Sequence, residues 1–266
     1  MFVSELGAGH ACAVHRTEEE QREVSAAFVA GGLSRGDKIV VLDGPSCLAG
    51  VFDRMTEDGH PPGRWERPGA LEVLNRSETW RLVGSGSGAS SEIDVLMGDA
   101  VRQGWTQIRL LAVLPAALRR DAGPASVEFD RAVEFAARTW PLSALCQFDA
   151  GAGAGDAHLE QLRRQHDVLV EAPALFDDGQ LRITRTPGGL RLAGEADLRN
   201  RRELAAVLEE AVAGAHGAPE VDIASLRFVD AACLRLLASA ATIRNPSPDV
   251  ARLLALLGSE PDGAAS

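Results

Sequence analysis

The sequence predicts an α/β protein in two parts: a larger N-terminal domain with a largely parallel sheet, and a smaller C-terminal α/β domain. Through the first two thirds of the chain, segments of helical period alternate with short apolar runs, which is the pattern of βα units around a parallel sheet. The text then changes around residues 171–179, a stretch containing Pro173 and Asp177-Asp178-Gly179, and all four tryptophans (Trp65, Trp80, Trp105, Trp140) precede it. A length of 266 residues suits one large domain or two ordinary ones.

The first helix is expected over 17–33, with Thr17 and Glu20 at capping-box spacing, Val24, Phe28 and Val29 on the apolar face, and Gly31-Gly32 as its end. Residues 39–42 read as a buried strand and 43–47 as a turn. After a Pro/Gly-rich passage at 59–69, residues 70–74 read as a strand, and the Gly/Ser run 84–91 as a flexible loop. A helix over 91–103 and a strand over 108–113 follow. The next helix, 125–139, offers Val127, Phe129, Val133 and Phe135 to the core, and leads to a strand over 142–148 closed by the Gly/Ala run 151–155. A short helix at 156–165 precedes a strand at 168–170. In the second part, runs 181–186 and 190–194 flank Pro187-Gly188-Gly189, a hairpin signal. Residues 200–213 form an amphipathic pattern with Leu204, Val207, Leu208 and Val212 inward, 221–223 a strand, and 231–240 and 248–257 two further helices. The last of these starts on Pro248 and stops at Gly258.

Composition narrows the function. Hydrophobic residues at 45% and charged residues at 24% are those of a globular protein. Twenty-seven basic residues, of which Lys38 is the single lysine, stand against 38 acidic ones. The net charge of -11 repels a phosphate backbone, so no nucleic-acid partner is expected. The start, Met1-Phe-Val-Ser-Glu5, lacks a basic and apolar leader, and no long uncharged apolar run follows. A cytoplasmic protein with no membrane partner is therefore expected. The cysteines Cys12, Cys47, Cys146 and Cys233 occur singly, which indicates neither a disulfide framework nor a zinc knuckle.

Gly194-Glu-Ala-Asp197 after a strand, then a helix, then the run from Val221 to Asp230 entering another helix, resemble the STAS domain of anti-sigma factor antagonists over residues 179–258. In that family an Asp-Ser-Ser/Thr-Gly run opens the helix, and its first Ser is phosphorylated by a kinase-like anti-sigma factor. The matching run here is Asp230-Ala231-Ala232-Cys233, which offers no hydroxyl. The resemblance implies an anti-sigma factor or related signalling protein as partner, contacted through Asp197, Asp230, Ala231, Ala232 and Cys233, with Ala231 as a degenerate phosphosite. His10-Ala-Cys12-Ala-Val-His15, the passage Gly32 to Lys38, and Ala144 to Asp149 followed by His166 resemble the MEDS sensory domain over residues 7–170. That resemblance implies a RecA-like α/β fold descended from ATPases and a small-molecule ligand to be sensed. No Gly-x-x-x-x-Gly-Lys-Ser/Thr run is present, and residues 43–47 lack a phosphate-binding lysine. The expected layout is thus a MEDS-like domain (7–170), a linker (171–179), a STAS-like domain (180–258) and a tail (259–266).

His10, Cys12 and His15 form the one close cluster of metal-capable side chains, and on a strand positions 10 and 12 share a face. With Cys146 and His166 they are the candidate ligand-sensing residues. No metal, cofactor or catalytic residue is assigned: three residues fall short of a structural zinc set, and His166 or Cys146 completes one only if the fold brings it near. Isolated cysteines in strands pack as small core residues rather than nucleophiles. Gly84-Ser-Gly-Ser-Gly88 imitates a nucleophile elbow but lacks the strand-to-helix setting. The expected function is non-enzymatic signalling, with a nucleotide-binding or hydrolysing enzyme on a degenerate RecA-like domain, or a homo-oligomeric scaffold such as a homodimer, as competing readings.

Overall fold

The computed structural model describes residues 6–256, apart from 43, 65–66, 116–120, 151–156, 167, 187 and 215–216. The chain divides into two compact units, Met1–Ala172 and Pro173–Ser266. The first is built on a six-stranded, all-parallel sheet of β1 (Gly9–His15), β2 (Lys38–Leu42), β3 (Leu71–Val73), β4 (Ile108–Leu114), β5 (Leu142–Asp149) and β6 (Val168–Val170) in the order β3-β2-β4-β5-β1-β6. Strands β2 and β4 are buried at every position, and β5 at all but its last. Parallel strands covered on both faces read this way, as continuous apolar runs without alternation. Gln147 of β5 donates through Nε2 to Ser25 Oγ of α1 (Glu18–Arg35) at 3.0 Å. Cys146, its neighbour in the strand, points to the other face, toward α5 (Pro124–Thr139).

The capping box expected at the first helix is present, while Gly258, expected to stop the last helix, lies outside the described residues. Thr17 closes a reciprocal capping box with Glu20 at the start of α1. That helix runs past Gly31-Gly32 and ends at Arg35, with Gly36 in the left-handed conformation at φ 79°. Gly32 lies inside the helix at a close approach, where a Cβ would collide with the side chains of Arg109 and Ile39. Residues 44–47, expected as a turn, instead open α2 (Gly44–Glu57). The expected 84–91 loop is compact structure: α3 (Arg76–Gly84), capped by Asn75, passes through a 3-10 turn at Gly86–Gly88 directly into α4 (Ala89–Arg102). Gly86 is buried at φ 57° against Glu128 and Ala125 of α5, so close packing rather than flexibility explains the glycine. A further departure is Phe135, which is 60% exposed. It lies on the outer side of α5, whose inner face carries Val127, Phe129, Asp130, Val133 and Ala137. The short helix α6 (Ala157–Arg164) precedes β6, and the Gly/Ala run 151–155 lies outside the described residues.

The second unit is a mixed five-stranded sheet, β11-β10-β9-β8-β7. Its strands are β7 (Phe176–Asp177), β8 (Leu181–Thr186), β9 (Gly189–Ala196), β10 (Glu220–Val229) and β11 (Thr242–Arg244). Strand β7 falls within the stretch read as a linker, pairing antiparallel with β8, and β8 forms the expected hairpin with β9. The parallel pairs β9–β10 and β10–β11 are joined by α7 (Arg201–Gly214) and α8 (Ala231–Ala240), and α9 (Pro248–Leu256) follows. Val212 of α7, expected inward, is 42% exposed, while Leu204 and Leu208 are buried. Gly194 adopts φ 98°, and a Cβ there would strike the Gln180 carbonyl across the hairpin. No helix among the described residues is long and apolar enough to cross a membrane.

Arg109 of β4 is, with Arg191 of the second unit, the largest of the fully buried side chains among the described residues. It donates to Asp37 Oδ2 at 3.0 Å, to the Phe28 carbonyl at 2.9 Å and to the Leu6 carbonyl at 3.1 Å. Removing one member of such a set leaves a buried charge and buried carbonyls without it, which costs about 3–5 kcal/mol. Arg109→Ala is expected to destabilise the first unit by that amount in urea unfolding followed by tryptophan fluorescence, since every tryptophan lies in that unit. A loss below about 1 kcal/mol would show that the network is dispensable.

Candidate functional site

Parallel pairing sets His10 of β1 beside Ala144 of β5 and Cys12 beside Cys146. Because faces alternate along a strand and are shared across in-register pairs, His10, Cys12 and Cys146 all face α5. From that helix Asp130 and Glu134, one turn apart, reach toward them. His166, following α6, completes the group. His10 Nε2 lies 3.0 Å from His166 Nε2 and 3.2 Å from Cys146 Sγ. Asp130 Oδ1 stands 3.6 Å from His10 Nε2 and 3.3 Å from His166 Nε2, yet accepts no aligned hydrogen bond. His10, His166, Cys146 and Asp130 are all buried.

The other nitrogen of each imidazole is committed. His166 Nδ1 is 2.8 Å from the Leu162 carbonyl, which can only accept, so this nitrogen carries a proton. His10 Nδ1 is 3.3 Å from Glu134 Oε2. Burial pushes the His10 pKa down to about 4, against the pull of Asp130. Burial also opposes protonation of His166, but the Asp130 carboxylate and the Cys12 and Cys146 sulfurs outweigh it and raise its pKa. The cluster therefore holds its positive charge on the His166 side. Burial pushes the Cys146 thiol up to about 12, which makes it a poor nucleophile.

The structure thus brings together four of the five expected ligand-sensing residues: His10, Cys12, Cys146 and His166. His15 is not among them, because an odd position on β1 faces away from the even ones. Asp130 and Glu134 escaped the sequence reading. The available signal was a carboxylate inside the apolar stripe Val127, Phe129, Val133 and Ala137, where a charged residue needs a partner.

In the second unit the parallel strands β9 and β10 end together: Val229 is in register with Ala196, and the Asp230 N–H donates to the Ala196 carbonyl at 3.0 Å. Residues 197–199 and the start of α8 therefore share one edge of the sheet. Asp230 caps α8 by accepting the Cys233 N–H at 2.7 Å, and this bond holds its carboxyl below the ordinary range. Asp197 is held low by the side chain and N–H of Arg199. Ala231 is exposed and Ala232 half-buried. Cys233 is fully buried with its thiol pushed up to about 12, so it reaches this edge only through its backbone N–H. Leu198 and Phe228, 71% and 52% exposed, flank the same edge, and the sequence reading passed over both.

Two family matches cover these units. The MEDS family, described as MEthanogen/methylotroph, DcmR Sensory domain, matches residues 9–167. The family described as Mlab, STAS domain matches residues 180–260. No curated protein matches the chain.

The Asp230 cap generates a direct test. Replacing such a cap by Ala costs about 1 kcal/mol. Asp230→Ala is expected to lower the stability of the second unit by that amount near neutral pH, read by far-UV circular dichroism as a change that tryptophan fluorescence does not follow. Because the folded pKa is depressed, the contribution is present above the unfolded carboxylate range and is lost as pH falls through the folded value. Wild type and variant should converge in acid. A gap that persists there would assign the loss to something other than the carboxylate.

Proposed function

The chain belongs to the MEDS family of sensory domains and continues into a STAS domain, and on that premise we propose that it is a non-catalytic signalling regulator. In this reading the first unit, a RecA-like sheet that no longer handles nucleotide, senses a small molecule or partner. The second unit binds an anti-sigma factor or a related signalling protein. The observation that carries the reading is the start of α8, where an exposed Ala231 follows the capping Asp230 between exposed Leu198 and Phe228. A helix N-terminus with apolar side chains beside it offers a partner both backbone dipole and contact area.

Ala231 stands where the resembling antagonists carry their phosphorylated serine. A phosphate there would add about -1.5 to -2 charges at the docking edge. With alanine the edge stays permanently in the unphosphorylated form, and control passes to the first unit. A ligand that binds one state of that unit better than another would shift the population competent for the partner.

Placing a fixed negative charge at this position is the test. The full chain and its Ala231→Glu variant serve as bait for affinity capture, and calorimetry follows on any captured signalling protein. The expected result is a partner held by wild type and weakened by about tenfold or more, about 1.4 kcal/mol, in the variant. Equal affinity for both would remove this edge from the interface, and absence of any partner would leave the second unit without the proposed role.

A further inference from the structure

We propose that His10, His166 and Asp130 form a binding site for a first-row divalent transition metal ion, of zinc type, inside the first unit. Three donor atoms, His10 Nε2, His166 Nε2 and Asp130 Oδ1, lie within 4.8 Å of one another, all from buried residues. Their separations are 3.0, 3.3 and 3.6 Å. Bonds of about 2.0–2.1 Å at a near-tetrahedral angle place ligand atoms about 3.3 Å apart, so the three atoms already stand at the spacing of ligands around one ion.

Proton accounting points the same way. The Leu162 carbonyl fixes a proton on His166 Nδ1, and the Glu134 carboxylate draws one to His10 Nδ1. With the His166 Nε2 proton displaced, as metal binding requires, both Nε2 lone pairs and a carboxylate oxygen that accepts no aligned hydrogen bond face one another. Three acceptors facing one point repel unless a positive charge sits among them. The rings are oriented in the manner of metal-binding imidazoles, each with its distal N–H engaged by a carbonyl or carboxylate. Two imidazoles and one carboxylate suit zinc or ferrous iron better than magnesium or calcium, which take oxygen ligands. Three protein ligands also leave a coordination position open, next to the Cys146 thiol at 3.2 Å from His10 Nε2. An exogenous donor can bind a metal at such a position.

The test uses the tag-free full chain with Zn²⁺ and Co²⁺ as probes. One equivalent of Zn²⁺ is expected to survive dialysis, and Co²⁺ is expected to give the visible d–d spectrum of a low-coordinate site. Asp130→Asn, which keeps shape and removes charge, should weaken binding by about 100-fold. Glu134→Gln, which changes the partner of His10 Nδ1 and a surface contact to Arg138 but none of the three ligands, should weaken it by about 10- to 100-fold. Chelation of the metal should lower the melting temperature of wild type but not of Asp130→Asn. Wild type that is folded by circular dichroism yet takes up neither ion overturns the proposal and leaves a proton as the countercharge to the carboxylates of the cluster. Stoichiometric binding unaffected by both variants overturns it as well, because the ion would then sit elsewhere.

Discussion

The register of β1 on β5 is the constraint on which the first unit's chemistry depends. Pairing Cys12 with Cys146 puts His10 and both sulfurs on the α5 side and sends Gln147 to Ser25 on the α1 side. A slip of one residue would turn His10 toward α1 and leave Asp130 facing alanine. The sheet order makes such a slip expensive. β1 is inserted between β5 and β6 and is bonded on both edges, so a shift of β1 disturbs two ladders at once. The buried acid on α5 then adds its own requirement, since Asp130 is tolerable in that helix only where imidazoles meet it.

What the sequence made legible was local. The capping box at Thr17, the hairpin of β8 and β9 and the buried apolar strands of the first sheet are encoded within a few residues of where they act, and they fall where expected. The misreadings arose where a local pattern competed with packing at long range. Phe135 looked like core because apolar residues recur near it, but from Phe129 it is a little more than one and a half turns away, on the far side of α5. The Gly/Ser run 84–91 looked flexible by composition, whereas Gly86 is small because α5 lies against it. The cluster itself was half visible. His10 and Cys12 announced a shared face, but Asp130 and His166 lie more than a hundred residues away, and only the fold selects them from the other acids and histidines.

In the second unit, the same polar residue serves stability and display. Asp230 accepts the Cys233 N–H, which fixes the angle at which α8 leaves the sheet and leaves Ala231 at its tip. Cys233 anchors that first turn in the core, so the displayed residue and the buried one lie two positions apart in the same helical turn. Beneath them, Arg191 ties β9 to β10 through Asp222 at 2.7 Å and Ser225 at 2.7 Å. That linkage spans the irregular register of the two strands, so the edge they present is held by side chains where the ladder is interrupted.

The first sheet solves the problem of a buried carboxylate in two different ways, and the difference is informative. Asp37 receives Arg109, a guanidinium that cannot lose its proton and whose donors are shared with two backbone carbonyls. That charge is permanent, and the arrangement is a fastening. Asp130 faces imidazoles and sulfurs instead. An imidazole supplies a positive charge when protonated and a lone pair when not, so the countercharge at Asp130 is exchangeable where that at Asp37 is fixed. A chain that needed only to bury Asp130 would be served better by a second arginine. Two histidines, each oriented through its distal nitrogen, are the arrangement of a pocket whose cation can be replaced, and this sets the cluster apart from the structural ion pairs of the same sheet.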